Sequence, residues 1–373
     1  MEYIFGRLGQ EEDVLDFANY VFSMVRCPID FKALLPKVYT RNDFAPIHAL
    51  AMENGRIKGV LALLPGTLRI RDIGTIKTGF LGTMAVHPYA RGRGIMRVLM
   101  DMIVSEGAEK DLDVLILNGR RHRYNYYGFE RGSMLIDYTL NADCLKHAFR
   151  EVDDSNIELV AMEDADAADM AASLAAYARL QSVGERDDLP LVLRSWKAKP
   201  IIVRQNGRAI GYVCIQGNTV SETALPDESV LPAYKKCLKT MQDHQMNVLA
   251  YPHETARIAL LRQISENYTI SDGLMLHILH WPKVLKTLLL FKHTFAHLED
   301  GRAVIEIEGA GRLKIAVEKG QVTVEPTLDT PMVIWSHNAA VTQLFSPMGT
   351  LLSSPIPRSW LPLPFALPRP DGF

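Results

Sequence analysis

The run G-F-L-G-T-M-A-V-H-P-Y-A-R-G-R-G-I-M-R-V-L-M, residues 79–100, constrains this chain more than any other stretch. It predicts a strand over Phe80–Val86, a proline-containing turn over His87–Ala90, a basic glycine loop over Arg91–Gly94 and an apolar helix from Ile95. Two glycines and two arginines just ahead of a helix N-terminus make an anion site. Backbone N–H groups point outward unhindered, the helix dipole favours negative charge, and the guanidinium groups add fixed positive charge. A phosphate or pyrophosphate is the expected guest. Commoner phosphate loops do not fit, because no G-x-x-x-x-G-K-[ST] occurs and the third glycine of G-x-G-x-x-G is missing. A solvated basic turn is the plainer reading of the same residues.

A chain of 373 residues is long for one domain, so two or three are expected. A formal charge of −2 gives no reason to expect nucleic acid or an anionic membrane as partner. Cys27, Cys144, Cys214 and Cys237 are scattered without a C-x-x-C, which argues against a disulfide framework or a thiolate metal site. Met1-Glu2-Tyr3-Ile4 does not read as a signal peptide, and no apolar run approaches the roughly 18 residues of a membrane span. The expected location is cytoplasmic and reducing.

Apolar residues at helical spacing (Val14, Phe17, Val21, Met24, Val25) predict a helix over residues 10–25, ended by Cys27-Pro28, with a short second one around Phe31–Lys37. Strands His48–Met52 and Ile57–Leu64 flank the hairpin signal Asn54-Gly55. Leu68–Ile70 and Thr78–Val86 continue the sheet. The helix from Ile95 buries Val98, Leu99, Met102 and Ile103, and Val114–Leu117 is the next strand.

A second motif follows in N-G-R-R-H-R-Y-N-Y-Y-G-F-E, residues 118–130. The run V-H-P-Y-A-R-G-R-G-I-M resembles the acyl-CoA signature of GNAT-superfamily N-acetyltransferases, and Tyr124, Gly128 and Phe129 resemble their Y-x-x-x-G-F signature, in the right order and spacing. Met96 stands where that superfamily usually has Gly or Ala. Tyr126 and Tyr127 are read as aromatic core.

Another unit starts near Asn156, with a strand over Glu158–Ala161, a helix capped by Asp164 and running to about Leu180, and strands Ile201–Val203 and Ile210–Ile215 around Asn206-Gly207. Q-N-G-R-A-I-G-Y (205–212) echoes E-N-G-R-I-K-G-V (53–60), a hint that this unit repeats the first fold. No R-x-x-G follows in residues 213–250, so the copy lacks the anion loop and is expected to be non-catalytic. After Trp281-Pro282 come a helix (Lys283–Phe291), three alternating strands that predict an antiparallel meander with one wet face, and a helix over Asn338–Phe345. From Pro347 the chain holds seven prolines in 27 residues, which predicts a non-helical, extended tail.

Taken together, the arrangement resembles the Eis-like (enhanced intracellular survival) acetyltransferases. The resemblance implies an α/β (α+β) chain of tandem GNAT folds, mixed central sheets flanked by helices, with a C-terminal sterol-carrier-protein-like antiparallel sheet and helices. The implied domains are a catalytic GNAT domain over 1–150, a second GNAT-like domain over 151–282, and a sterol-carrier-like domain with its proline-rich tail over 283–373. It further implies acetyl-CoA as co-substrate, no metal, a small-molecule amine acceptor of the polyamine or aminoglycoside kind, and a homo-oligomer, commonly a hexamer. Residue by residue, Tyr124 matches the general acid and Phe373 the C-terminal residue whose carboxylate is the general base. Met84, Ala85 and Val86 match the strand that holds the pantetheine arm. Arg91, Gly92, Arg93, Gly94, Ile95, Met96 and Arg97 match the pyrophosphate loop and its helix, and Asn118 and Gly119 lie beside the cofactor. Phe22, Met24, Asp30 and Phe31 are expected to line the acceptor pocket with the tail, where Asp371 draws in a cation.

The chemistry is consistent with these roles. A primary amine with a pKa near ~10.4 is neutral in only about one molecule in ~10³ at pH 7, so a base is needed. A chain-terminal carboxylate, near ~3.5 in water, becomes a better base when buried in an apolar cleft. Proton transfer from a tyrosine near ~10 to a thiolate near ~8.5 is uphill by roughly 2 kcal/mol, which favours hydrogen-bond donation over full transfer. Three alternatives stay open: Phe373 as a hydrophobic plug, an acyl-CoA-binding sensor or scaffold without turnover, and a lipid carrier with a vestigial GNAT domain. Cys27 as a nucleophile and His293 with His297 as metal ligands are weaker readings, lacking a supporting base and a third ligand.

Overall fold

The computed structural model describes residues 1–24, 28–70, 72–178, 183–184 and 188–373. Val25, Cys27 and the expected helix end near Leu180 lie outside the described residues. By compactness the chain forms two units, one of residues 1–133, 273–365 and 372–373, the other of 134–272 and 366–371.

In the first unit, β1 (Glu2–Phe5), β2 (His48–Glu53), β3 (Arg56–Ile70) and β4 (Gly74–Val86) pair antiparallel in that order, and β4 pairs parallel with β5 (Val114–Leu117). The parallel step is made through the helix Ile95–Glu109, as a parallel connection requires. Met275–Ile278 then runs antiparallel along β5. Asn54 and Gly55, with φ of 52° and 71°, make the two-residue turn between Glu53 and Arg56 that their types predict. α1 (Glu11–Ser23) and the Ile95–Glu109 helix bury Val14, Ala18, Leu99 and Ile103. β5, buried along its whole length, is all aliphatic, as a strand covered on both faces should be.

The same unit holds a four-stranded sheet in the order Gln321–Pro326, Gly311–Glu318, Gly301–Ile307, Val333–Trp335. The first three strands are the expected meander, with Ala303, Ile305, Ile307, Leu313, Ile315 and Val317 on the dry face. The fourth is parallel to Gly301–Ile307 and too short for periodicity to reveal. Helices Trp281–His293 and His337–Phe345 complete this part. His297 lies beyond the end of its helix, so His293 and His297 do not share a helical face.

The second unit has the strand order Ile136–Leu140, Met246–Ala250, Thr219–Ala224, Arg208–Gln216, Lys199–Gln205, Ile157–Ala161. Among the described residues its parallel step, between Thr219–Ala224 and Met246–Ala250, is bridged by the helix Asp227–Thr240. The Asn206-Gly207 turn has φ of 53° and 73°, matching the first unit's hairpin. The alanine-rich helix spans Ala167–Tyr177 and is capped by Asp166, which accepts from the Ala168 and Asp169 N–H groups; Asp164 belongs to a preceding 3₁₀ turn. No helix among the described residues is long and apolar enough to cross a membrane.

Candidate functional site

β4 supplies the floor of the site. Its parallel pairing with β5 covers Thr78–Leu81 against Val114–Leu117 and stops there, while β4 continues along β3. Between Gly82 and Ala85 the β3–β4 register slips, Val60 facing Ala85 and Ala62 facing Gly82, so β4 carries an extra residue. Thr83 takes φ of 48° in this bulge. A bulge breaks the ladder and re-aims side chains, which is why bulges gather at functional sites. Met84 and Val86 are half-buried and Ala85 is buried.

Two termini of chain segments meet this strand. Phe373, 6% exposed, packs on Gly82, and a Cβ built on Gly82 would lie 2.7 Å from its ring and 3.0 Å from its carboxyl carbon. Lys37 Nζ donates to the Gly372 carbonyl at 2.5 Å, and the Tyr39 ring stands 6.3 Å from that of Phe373. Farther along the strand, the Tyr124 hydroxyl lies 3.7 Å from Met84 Sδ. Tyr124 closes the short helix Arg121–Tyr124, and its ring fills the space in which a side chain at Gly119 would sit, 2.3 Å away. Burial raises the Tyr124 pKa, with Arg123 beside it acting in the opposite sense. The short helix is pinned by Glu130, 2% exposed, which accepts from Arg121 at 2.5 and 2.6 Å and from Asn125 at 2.7 Å.

The loop Arg91–Gly94 is exposed at every residue. Gly92 and Gly94 take φ of 77° and 73°, and a Cβ at either would meet nothing within 4 Å, so both backbones face open space. Gly94 caps the Ile95–Glu109 helix without a side-chain bond, and the first turn carries no acidic residue. Its first N–H groups and dipole are therefore available to an anion. Arg91 and Arg97 are exposed, Ile95 is buried and Met96 half-buried. Arg93 is engaged differently: its guanidinium makes a two-pronged pair with Glu53, at 2.6 and 3.1 Å. A cavity of about 550 Å³ opens along the same helix, lined by Arg97, Asp101, Val104, Ser105, Tyr126 and Tyr127 among others. Tyr126, expected in the core, is 87% exposed, while Tyr127 does pack on the apolar cluster beneath the helix.

The expected acceptor residues are not all brought together. Phe22 and Phe31 meet edge to face at 5.0 Å, and Phe31 reaches the Tyr39 ring at 5.5 Å, so both join the aromatic cluster next to Phe373. Met24 is 54% exposed. The Asp30 carboxylate caps the helix Phe31–Leu34, accepting from Lys32 and Ala33 N–H groups. Asp371 belongs to the second unit. Asn118 is exposed at the end of β5, next to Gly119. Among the described residues no group of three or more His, Cys, Asp or Glu could hold a metal ion.

Sequence reasoning missed Gly82, Thr83, Lys37, Tyr39 and Glu130. Gly82 carried a readable signal, since an isolated glycine inside a strand marks a bulge or a close backbone approach.

Residues 3–132 match the family model of the acetyltransferase (GNAT) domain. No curated protein matches the chain. Among solved structures, a GCN5-related N-acetyltransferase from Kribbella flavida aligns with a TM-score of 0.64 at 12% identity, covering 92% of this chain and 88% of that chain. Eis1 from Mycobacterium abscessus aligns at 0.63 and 16% identity, covering 92% and 89%. A GCN5-related N-acetyltransferase from Anabaena variabilis ATCC 29413 aligns at 0.64 and 12%, again covering 92% and 89%. Likeness at such identities is one of fold. The chain thus carries a GNAT acetyltransferase domain over residues 3–132, within a fold similar along 92% of its length to GCN5-related N-acetyltransferases.

Proposed function

We propose that this chain moves the acetyl group of acetyl-CoA to a primary amine of a small polyamine-like or aminoglycoside-like acceptor by direct attack. The observation that carries the reading is the convergence on the bulge of β4, with the Phe373 carboxyl end at Gly82 and the Tyr124 hydroxyl at Met84. The open glycine cradle at Gly92 and Gly94 suits a pyrophosphate, with Arg91 and Arg97 as its cations. Acetyl-CoA supplies an activated thioester; the protein supplies position and proton handling. The Phe373 carboxylate takes one proton of the incoming ammonium and passes it to solvent, the amine nitrogen bonds to the acyl carbon as the C–S bond breaks, the second proton that this nitrogen sheds ends on the departing thiolate, and Tyr124 donates a hydrogen bond to that sulfur as it leaves. The raised pKa of Tyr124 supports donation rather than full proton transfer.

The remaining parts of the chain fit as support. In this reading residues 151–282 are a GNAT-like copy without the anion loop, and residues 283–373 a sterol-carrier-like scaffold for the tail. Lys292 Nζ donating to the Pro362 carbonyl at 2.9 Å and the Leu363 N–H donating to the Leu344 carbonyl at 2.7 Å favour the scaffold role.

The test is a calorimetric titration of untagged protein with acetyl-CoA, followed by thiol release with polyamines and aminoglycosides. Binding with amine-dependent release is expected. A C-terminal extension beyond Phe373 should depress turnover at least tenfold and leave acetyl-CoA affinity unchanged. No binding would overturn the reading of the loop, and binding without release would favour the sensor. Full activity of the extended protein would remove the carboxylate from the mechanism.

A further inference from the structure

The acid–base assignment leaves one buried polar chain unused. Thr83 is β-branched, yet takes φ of 48° in the bulge beside Gly82. Such a conformation persists only where its surroundings over-determine it. Here the Thr83 Oγ1 lies 2.5 Å from the Tyr39 hydroxyl, which lies 3.2 Å from His48 Nε2, and His48 Nδ1 lies 2.8 Å from the Phe44 carbonyl. Tyr39 and His48 are fully buried and Thr83 nearly so.

The hydrogen directions follow from the far end of the chain. A carbonyl oxygen only accepts, so His48 carries its proton on Nδ1 and donates it to Phe44. Burial pushes the His48 pKa down to about 4 and keeps the ring neutral. Nε2 therefore accepts, the Tyr39 hydroxyl donates to it, and the Thr83 hydroxyl donates to Tyr39. One histidine tautomer, fixed at the entry to β2, sets the side chain of the bulge on β4. The Tyr39 ring also lies tilted against that of Phe373, so one side chain contacts both the bulge and the terminal residue.

We propose that Tyr39 and His48 are positioning residues that hold Thr83 in its left-handed conformation and thereby fix Met84 and the Phe373 carboxylate relative to each other for acyl transfer. The proposal rests on the acetyltransferase reading above. Tyr39→Phe keeps the ring and removes only the hydroxyl. It should lower kcat by about a hundredfold, the scale of an ångström's misplacement, and leave the acetyl-CoA Kd within about twofold, because the anion loop lies outside the network. Thr83→Val, nearly isosteric, should lose as much, and Thr83→Ser should retain most of the activity. If Tyr39→Phe fails to fold, the Thr83 pair carries the test.

Nitrogen NMR of the His48 ring gives a readout independent of turnover. The wild type should show the Nδ1–H tautomer, and Tyr39→Phe should shift Nε2. Wild-type kcat in both Tyr39→Phe and Thr83→Val, or a wild-type Nε2–H tautomer, would overturn the proposal. If no amine releases thiol in the wild type, the acetyltransferase reading falls by itself. The network is then judged by backbone shifts of Thr83, which must leave the left-handed region in Tyr39→Phe or the positioning role is wrong.

Discussion

Gly82 is where the absence of a side chain matters most. A methyl group there would sit 2.7 and 2.8 Å from ring atoms of Phe373 and 3.0 Å from its carboxyl carbon, closer than such contacts occur. Neither β4, paired with β3 at Gly82, nor the buried ring can yield far, so Gly82→Ala should displace the terminal residue. We expect turnover to fall by at least tenfold while calorimetry returns the wild-type affinity for acetyl-CoA; unchanged turnover would show that the seat of Phe373 has no part in acyl transfer. Residues of this kind divide sharply in how legible they are. The turn at Gly92 and Gly94 could be read because its backbone demands are local to one loop and one helix end. Lys37 could not, since its partner is 335 positions away and nothing in K-V-Y announces a tail carbonyl. Asp30 was legible as an acidic residue in the right region, yet local helix N–H groups claim its carboxylate, as they commonly do for Asp ahead of a helix.

Elements were more legible than contacts between them. The strand–turn–loop–helix order over residues 79–100 matches the sequence expectation, as do β5 and both Asn-Gly hairpins, because period, glycine and turn chemistry act over a few residues. β4 begins earlier than expected, at Gly74, because its pairing with the far end of β3 extends the hairpin. The proline tail carries three short 3₁₀ turns, Pro347–Leu351, Arg358–Trp360 and Arg369–Asp371, where the sequence predicts a non-helical, extended tail. Proline at the start of such a turn has the φ it needs and no N–H to lose. The Arg93–Glu53 pair joins the anion loop to the β2–β3 hairpin and uses one of the loop's two cations. Being exposed, the pair should add nothing measurable to stability. Glu53→Gln should leave Tm unchanged and, by releasing Arg93 toward the loop's guest, tighten acetyl-CoA binding a few-fold at low salt, less at high salt. Weaker binding in a calorimetric comparison would mean that Glu53 orients the loop instead.

At the scale of the molecule, β5 pairs parallel with β4 through a bridging helix and antiparallel with a strand that starts about 150 residues later in the chain. Alternation can announce a strand but not which edge it joins, so this pairing was beyond the reach of the sequence. Both units also hold histidines that packing keeps neutral: buried His48 and half-buried His277 and His337 in the first, buried His253 in the second. Burial lowers their pKa values, to about 4 for His48 and about 3 for His253 and His337, from an ordinary 6.5. The unfolded chain therefore binds protons below pH 6.5 that the folded chain refuses until near pH 4, and stability is lost as pH falls through that window. Each such histidine tilts the curve by up to about 1.4 kcal/mol per pH unit. Asp137 and Glu254, raised by burial, act in the opposite sense over the lower part of the window. Four histidines against these two carboxyls leave a net loss. Tm should be level from pH 8 to 7 and decline from pH 6.5 to 4.5, with a shallower slope in His48→Gln, where one titrating ring is gone. A Tm that held steady or rose across that interval would mean these rings are already charged in the folded protein, and the tautomer deduced for His48 would be lost with them.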